Sequence, residues 1–225
     1  MSTNTSRNRL WSWTHAERAA LARDLAELDD EQWAAGSLCG RWSVQEAVAH
    51  LTAGASVGPA RWFASVVGAG FDFDLHNDRR LAEHLGTSPG DTLARFRGII
   101  TSTTSTLGPT EAWLGEVIVH GEDIRRPLGI GRTVPVEAVT AVADFYARRD
   151  FTVDSRKTIA GLRLEASDGP FATGRPLVHG TTLALTMAMA GRESHCDELA
   201  GDGLEILRAR CAGRCVGGSE GNPRP

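Results

Sequence analysis

The chain has 225 residues, and its 24 Lys plus Arg against 28 Asp plus Glu leave a net charge of −4 at neutral pH. A mildly acidic balance excludes a binder of nucleic-acid backbones. The 41% hydrophobic and 23% charged residues suffice to bury a core without disulfides. No apolar run reaches the roughly 18 residues that a spanning helix needs. The first residues, MSTNTSRNRLWSWTHAER, hold no apolar stretch of a secretory signal. The four cysteines, Cys39, Cys196, Cys211 and Cys215, form neither a CxxC pair nor a ladder, so the expected setting is reduced and cytoplasmic.

Residues 1–13 read as a loose arm. Thr14-x-x-Glu17 has the form of a capping box that would start a first helix. Leu21, Leu25 and Leu28 carry that helix to the DDEQW segment. Ser43-x-x-Glu46 is a second capping box, and Val44, Ala47, Val48, Leu51 and Ala55 make the stripe of a second helix that ends or breaks near Gly58-Pro59. The turn-rich stretch over residues 68–80 reads as a loop. Ser88-Pro89 opens a third helix with Leu93, Phe96, Ile100, Thr103 and Leu107 along one side. Gly108-Pro109 stops it, and a fourth helix spans Thr110 to Arg126 before Pro127 and Gly129. Four amphipathic helices in series imply a bundle.

After Pro135 comes one more helix, VEAVTAVADFYARR. Gly161–Ala166 alternates like a strand, FATGRPLVHG reads as loop, Thr181–Ala190 as a short buried helix and Leu204–Leu207 as a second strand. The expected organisation is a bundle over residues 1–132, a small α/β unit over residues 133–210, and a disordered tail over residues 211–225 that contains Cys211 and Cys215.

The fourth helix holds Glu116-x-x-x-His120. Side chains four apart stand one above the other, and these share a face with Trp113, Val117, Ile124 and Leu128. A carboxylate on an apolar face needs a partner. An ordinary Glu–His contact supplies one, and a divalent cation bound by both groups supplies another. His50 is the candidate third ligand. At about 100° per residue it lies roughly 120° from the centre of the Val44–Leu51 stripe, on a shoulder with Ala47, Gly54 and Val57. His15, His76, His84, His179 and His195 compete less well for that place.

The combination of WSVQEAVAHL, a long gap, EVIVHGEDIRRPLG and a strand–helix–strand tail resembles the mycothiol-dependent maleylpyruvate isomerase family, which is itself similar to the wider DinB-like metal-binding bundles. The resemblance covers the four helices and, more weakly, the C-terminal unit with MAMAGR and GDGLEIL. It implies a mostly α fold, a DinB-like four-helix bundle followed by a small α/β domain. It also implies one divalent metal, usually zinc, on the positions that match His50, Glu116 and His120. An arginine near the substrate is implied for the C-terminal unit. Arg192 is the first candidate and Arg175 the second, while capping of a helix C-terminus would equally account for Arg192. Arg61 and Arg125 are weaker candidates for the cleft.

Three protein ligands leave an open coordination position. A metal at such a position lowers the pKa of a bound thiol. By the resemblance that thiol is mycothiol, the low-molecular-weight thiol of actinobacteria, acting as cosubstrate. No cysteine of the chain has an evident catalytic setting, so the nucleophile is expected from outside. The expected activity is thiol addition to, or substitution on, a small electrophile, as an isomerase or an S-transferase. A non-catalytic metal-containing module and a metal-dependent hydrolase, with Asp123 near the metal, stay open. Two histidines and one carboxylate also suit iron, nickel or manganese. The expected partners are small molecules only, with no nucleic acid or membrane, and the expected state is a monomer or homodimer.

Overall fold

A computed structural model describes residues 2–40, 42–68, 70, 73–105, 108–151, 153–174 and 177–212. The chain divides into two compact units that meet between Thr133 and Val134. The first is a four-helix bundle, the second a small helical unit around a two-stranded sheet.

Helix α1 spans Ser2–Ala26 without interruption. The expected loose arm is therefore helical, and Thr14 is not a cap. Its hydroxyl donates to the Leu10 carbonyl one turn back, 2.9 Å away, a bond that satisfies a buried hydroxyl inside a helix. Glu17 is buried and bound to Arg132 at 2.6 Å. Helix α2, Asp30–Ala34, is opened by a capping box of Asp29 and Gln32. The Ser43–Glu46 box does open α3, Val44–Ser56: the Ser43 N–H reaches Glu46 Oε2 at 2.8 Å and the Glu46 N–H reaches Ser43 Oγ. The chain breaks at Val57-Gly58 and resumes as α4, Pro59–Gly68. Helix α5, Phe73–His84, occupies most of the stretch expected to be loop.

Helix α6, Pro89–Gly98, starts at Ser88-Pro89 as its sequence predicts. It ends earlier than expected. Gly98 is followed by the β-branched run Ile99-Ile100-Thr101, of low helix propensity, where the helix gives way to hydrogen-bonded turns. Thr103 lies past the helix, and Leu107 falls outside the described residues. Helix α7 is Thr110–Arg125. α1 packs against α6 and α7, and α3 packs against α6 and α7 to complete the bundle, with α5 laid on α3. Leu21, Leu25, Trp33, Val48, Leu93, Phe96 and Ile124 form its core.

The second unit comprises α8 (Val136–Arg148), α9 (Ser155–Thr158), β1 (Arg163–Ala166), β2 (Leu177–Gly180), α10 (Thr182–Met189), a 3₁₀ helix (Glu193–Glu198) and α11 (Leu204–Ala212). β1 and β2 pair in parallel, Arg163 opposite Leu177 and Ala166 opposite Gly180, so part of the FATGRPLVHG segment is strand rather than loop. LEIL is helical rather than extended. Leu207 and Cys211 are fully buried one turn apart while Ile206 is 41% exposed, a helical period and not an alternating one. Cys211 thus belongs to the packed unit instead of a tail. Cys215 lies outside the described residues. Among the described residues no helix is long and apolar enough to cross a membrane.

Candidate functional site

The site is built where α3 faces α7. His50 projects from α3, and Glu116 and His120 from consecutive turns of α7. His50 Nε2 lies 3.5 Å from Glu116 Oε2, and His120 Nε2 lies 3.3 Å from the same oxygen. One donor atom from each residue falls within 4.8 Å of the other two. The imidazoles meet edge-on with centroids 5.0 Å apart, and Trp42, the first residue of WSVQEAVAHL, packs its ring 4.7 Å from that of His50. The shoulder position of His50 on α3 is what turns it to the α7 interface. Its side chain is 21% exposed and that of Glu116 is 23% exposed, so the donors are sheltered yet reachable.

A second layer lies behind His120. Asp123 is fully buried, and its Oδ2 stands 3.1 Å from His120 Nδ1. Cys39 donates its thiol to the same oxygen at 3.1 Å and sits 3.2 Å from His120 Nδ1. Cys39, His120 and Asp123 therefore form a second set of three clustered donors that shares His120. The Cys39 loop reaches α7 because the Leu38 N–H donates to the Asp123 carbonyl at 3.0 Å and the Ser37 N–H closes on the Trp42 carbonyl. Gly40, at φ 70°, supplies the left-handed residue this turn requires. The sequence reading sets every cysteine aside; the fold brings Cys39 to the site.

Electrostatics follow from this packing. Burial would raise the Glu116 carboxyl, but hydrogen bonds from His120 and His50 outweigh it and hold the group well below the usual carboxylate range. Burial would likewise lower His120, yet the Cys39 sulfur, Asp123 and Glu116 together push it well above its ordinary value. The set is a proton-laden, acid–imidazole cluster. A divalent cation fits the chemistry of its donors: it would replace the His120 proton and sit against two nitrogens and one oxygen. Asp123 would hold the far nitrogen of His120, the carboxylate–histidine arrangement common behind metal ligands.

A small, open cleft lies beside the cluster, lined by Arg18, His50, Gly54, Trp113 and Glu116 among others. A Cβ at Gly54 would meet nothing within 4 Å, so the cleft is open there. Arg18 escaped the sequence reading, although it lies three and seven residues before Leu21 and Leu25, on the same face of α1.

Arg192 sits in the second unit, where its Nη1 donates to the Ala190 carbonyl at 2.6 Å, at the C-terminal cap of α10. Arg175 falls outside the described residues. Arg61 is exposed and beside Glu83, and Arg125 is buried on Asp24 at 2.7 Å.

A family model described as the mycothiol maleylpyruvate isomerase N-terminal domain matches residues 14–139. Two solved structures share the fold. The crystal structure of the mycothiol-dependent maleylpyruvate isomerase superposes with a TM-score of 0.59 at 15% identity, over 90% of this chain and 96% of that one. A crystal structure of a histidine-to-alanine mutant of that enzyme gives 0.59 at 14% identity with the same coverage. No curated protein matches the chain.

Proposed function

The chain belongs to the mycothiol maleylpyruvate isomerase N-terminal domain family, and from that membership we propose a metal- and thiol-dependent enzyme that joins a low-molecular-weight thiol to a small electrophile. The observation that carries the reading is the convergence of His50, Glu116 and His120 donor atoms within 4.8 Å beside a cleft. Bound there, a divalent cation, with zinc as the first candidate, would act as a Lewis acid that makes a thiol ionise near neutral pH. Mycothiol is the proposed thiol. Isomerisation and S-conjugation need the same machinery and differ only in the electrophile. A reduced cytoplasmic setting belongs to the same proposal.

The chain's own residues would divide the work. His50, Glu116 and His120 hold the cation. Asp123 accepts from His120 Nδ1, fixing the ring so that Nε2 faces Glu116 and His50. Trp42 covers the two imidazoles and excludes water from one side. Arg192, in the second unit, is proposed as the arginine that meets the electrophile, on the family resemblance alone.

Cys39, His120 and Asp123 offer a competing cation site, and one experiment separates the two. Zinc is counted on wild type, His50→Ala, Glu116→Ala, His120→Ala and Cys39→Ser. Loss of zinc in the first three variants with full occupancy in Cys39→Ser is expected. Full occupancy in His50→Ala and Glu116→Ala, with loss in Cys39→Ser, would move the metal to the inner cluster. A mycothiol-plus-electrophile assay on the same proteins then tests the reaction, and turnover that survives chelation would defeat it. Stoichiometric zinc without turnover of any electrophile would instead describe a binding module.

A further inference from the structure

We propose that Cys196 and Cys211 are a redox-modification site, a thiol pair that the disulfide form of a low-molecular-weight thiol converts into an internal disulfide, clamping α11 to the 3₁₀ helix of the second unit. The two sulfurs lie 4.0 Å apart across those elements, and both residues are fully buried. The Cys196 thiol donates to Cys211 Sγ, and the Cys211 thiol donates to the Ala188 carbonyl at 3.2 Å. Bonded sulfurs stand about 2.05 Å apart, so about 2 Å has to close. A χ1 rotation in each residue and a slight approach of α11 supply it. The hydrogen bond from Cys211 pulls the Cys196 thiol below its ordinary value in spite of burial, and the charge of Arg208, bound to Asp197 at 2.9 Å, adds to the effect. Cys196 is therefore the better first nucleophile of the two.

A reagent from solvent reaches the pair when α11 lifts. This helix of nine residues buries Leu207 and Cys211, and its other described positions are exposed or half-buried. So small a buried face opens locally at less cost than the whole fold. The Cys196 thiolate then attacks one sulfur of the reagent disulfide. A Cys196–reagent bond forms, the reagent's own S–S bond breaks, and one reagent thiolate leaves. As α11 returns, Cys211 gives its proton to solvent and attacks the Cys196 sulfur. The Cys196–Cys211 bond forms and the second reagent thiolate leaves. Two protein thiols are oxidised to one disulfide, and one reagent disulfide is reduced to two thiols. The new bond closes a separation of 15 residues, which restrains the unfolded chain and stabilises the second unit. In a reducing compartment such a bond is a reversible sensor rather than a permanent staple. The inference does not depend on the metal reading, whose donors all lie in the other unit.

The test incubates the full-length chain with hydroxyethyl disulfide, as wild type and as Cys39→Ser/Cys215→Ser, in which Cys196 and Cys211 are the remaining cysteines. Peptide mapping by mass spectrometry and thermal melting follow. Both proteins are expected to lose two hydrogens with the Cys196 and Cys211 peptides joined, faster in urea held well below the unfolding midpoint. Oxidation should raise the melting temperature by about 5 °C or more, and dithiothreitol should restore it. Should the double variant fail to fold, the wild-type peptide map gives the same answer. A link from Cys196 or Cys211 to Cys215 in place of the internal bond would overturn the proposal. So would a lasting reagent adduct on either cysteine without the internal bond, or an oxidised protein that melts no higher than the reduced one. Thiols that stay reduced until the whole chain unfolds would overturn it as well.

Discussion

At the scale of single residues, His120 carries the most information. One ring nitrogen faces Asp123 and Cys39, the other Glu116. Its pKa is pushed well above the ordinary 6.5, so in the metal-free protein the imidazole is charged at neutral pH. A cation must displace that proton. Zinc binding at pH 7 should therefore release about one proton, and affinity should climb as pH rises until the elevated pKa is passed. Asp123→Asn weakens the support for the charged ring and should reduce the release. Titrating zinc in buffers of different ionisation enthalpy measures it, and the same release in both proteins would contradict the account. Linkage gives the stability of the metal-free chain its sign. The His120 contribution is complete below its unfolded value near 6.5 and fades as pH climbs through the raised folded value. The Glu116 contribution is complete above its unfolded value near 4.5 and fades as pH falls through the lowered one. The Glu116/His120 spacing is legible in sequence because i,i+4 is a local rule. His50 is legible only with the family resemblance, since a helical wheel does not reveal which neighbour will face the shoulder. Cys39 is not legible at all, because its approach depends on Leu38 bonding to Asp123, a contact 85 positions away in the chain.

At the scale of elements, one pattern has two outcomes. Thr14-x-x-Glu17 and Ser43-x-x-Glu46 read alike, yet only the second is a cap. The difference is what precedes each. Residues before Thr14 continue the helix, while the Gly36–Ser43 bridge and the Gly40 turn fix the chain outside α3. Ser43→Ala should cost about 1 kcal/mol, the usual loss for an N-cap hydroxyl. Thr14→Val keeps the shape and leaves the Leu10 carbonyl in its helical bond, so its cost should stay below about 1 kcal/mol. Urea denaturation of the two variants checks the ranking, and a Thr14→Val cost above that of Ser43→Ala would reverse it. The same ambiguity explains LEIL. Three apolar residues around one glutamate fit either period, and only the burial of Cys211 one turn past Leu207 shows the helix. Arg18 could have been found at this scale, since a cation on the Leu21–Leu25 face of α1 breaks the apolar pattern.

At the scale of the whole molecule, the clustered donors and the side chains around them belong to the first unit. His50, Glu116, His120, Trp42, Asp123, Cys39, Arg18 and Trp113 all precede Thr133. The second unit has its own core of Val142, Leu164, Val178, Leu185, Met187 and Leu207. Its β2 strand is braced at one edge by the His179–Ala200 bridge, and the turn that follows rests on Gly201. That glycine holds φ 121°, and a Cβ there would lie 2.4 Å from the Leu177 carbonyl oxygen. Neither the angle nor the space accepts a side chain, and the obstacle is backbone that cannot rotate away. Gly201→Ala should therefore destabilise the second unit by more than about 2 kcal/mol. With every proposed ligand in the other unit, zinc stoichiometry should stay at the wild-type value below the melting transition, while that transition moves to lower temperature. Thermal melting followed alongside zinc analysis tests both halves of the expectation. A variant that melts earlier and also loses zinc would mean that the bundle depends on its C-terminal neighbour to keep its donors in place.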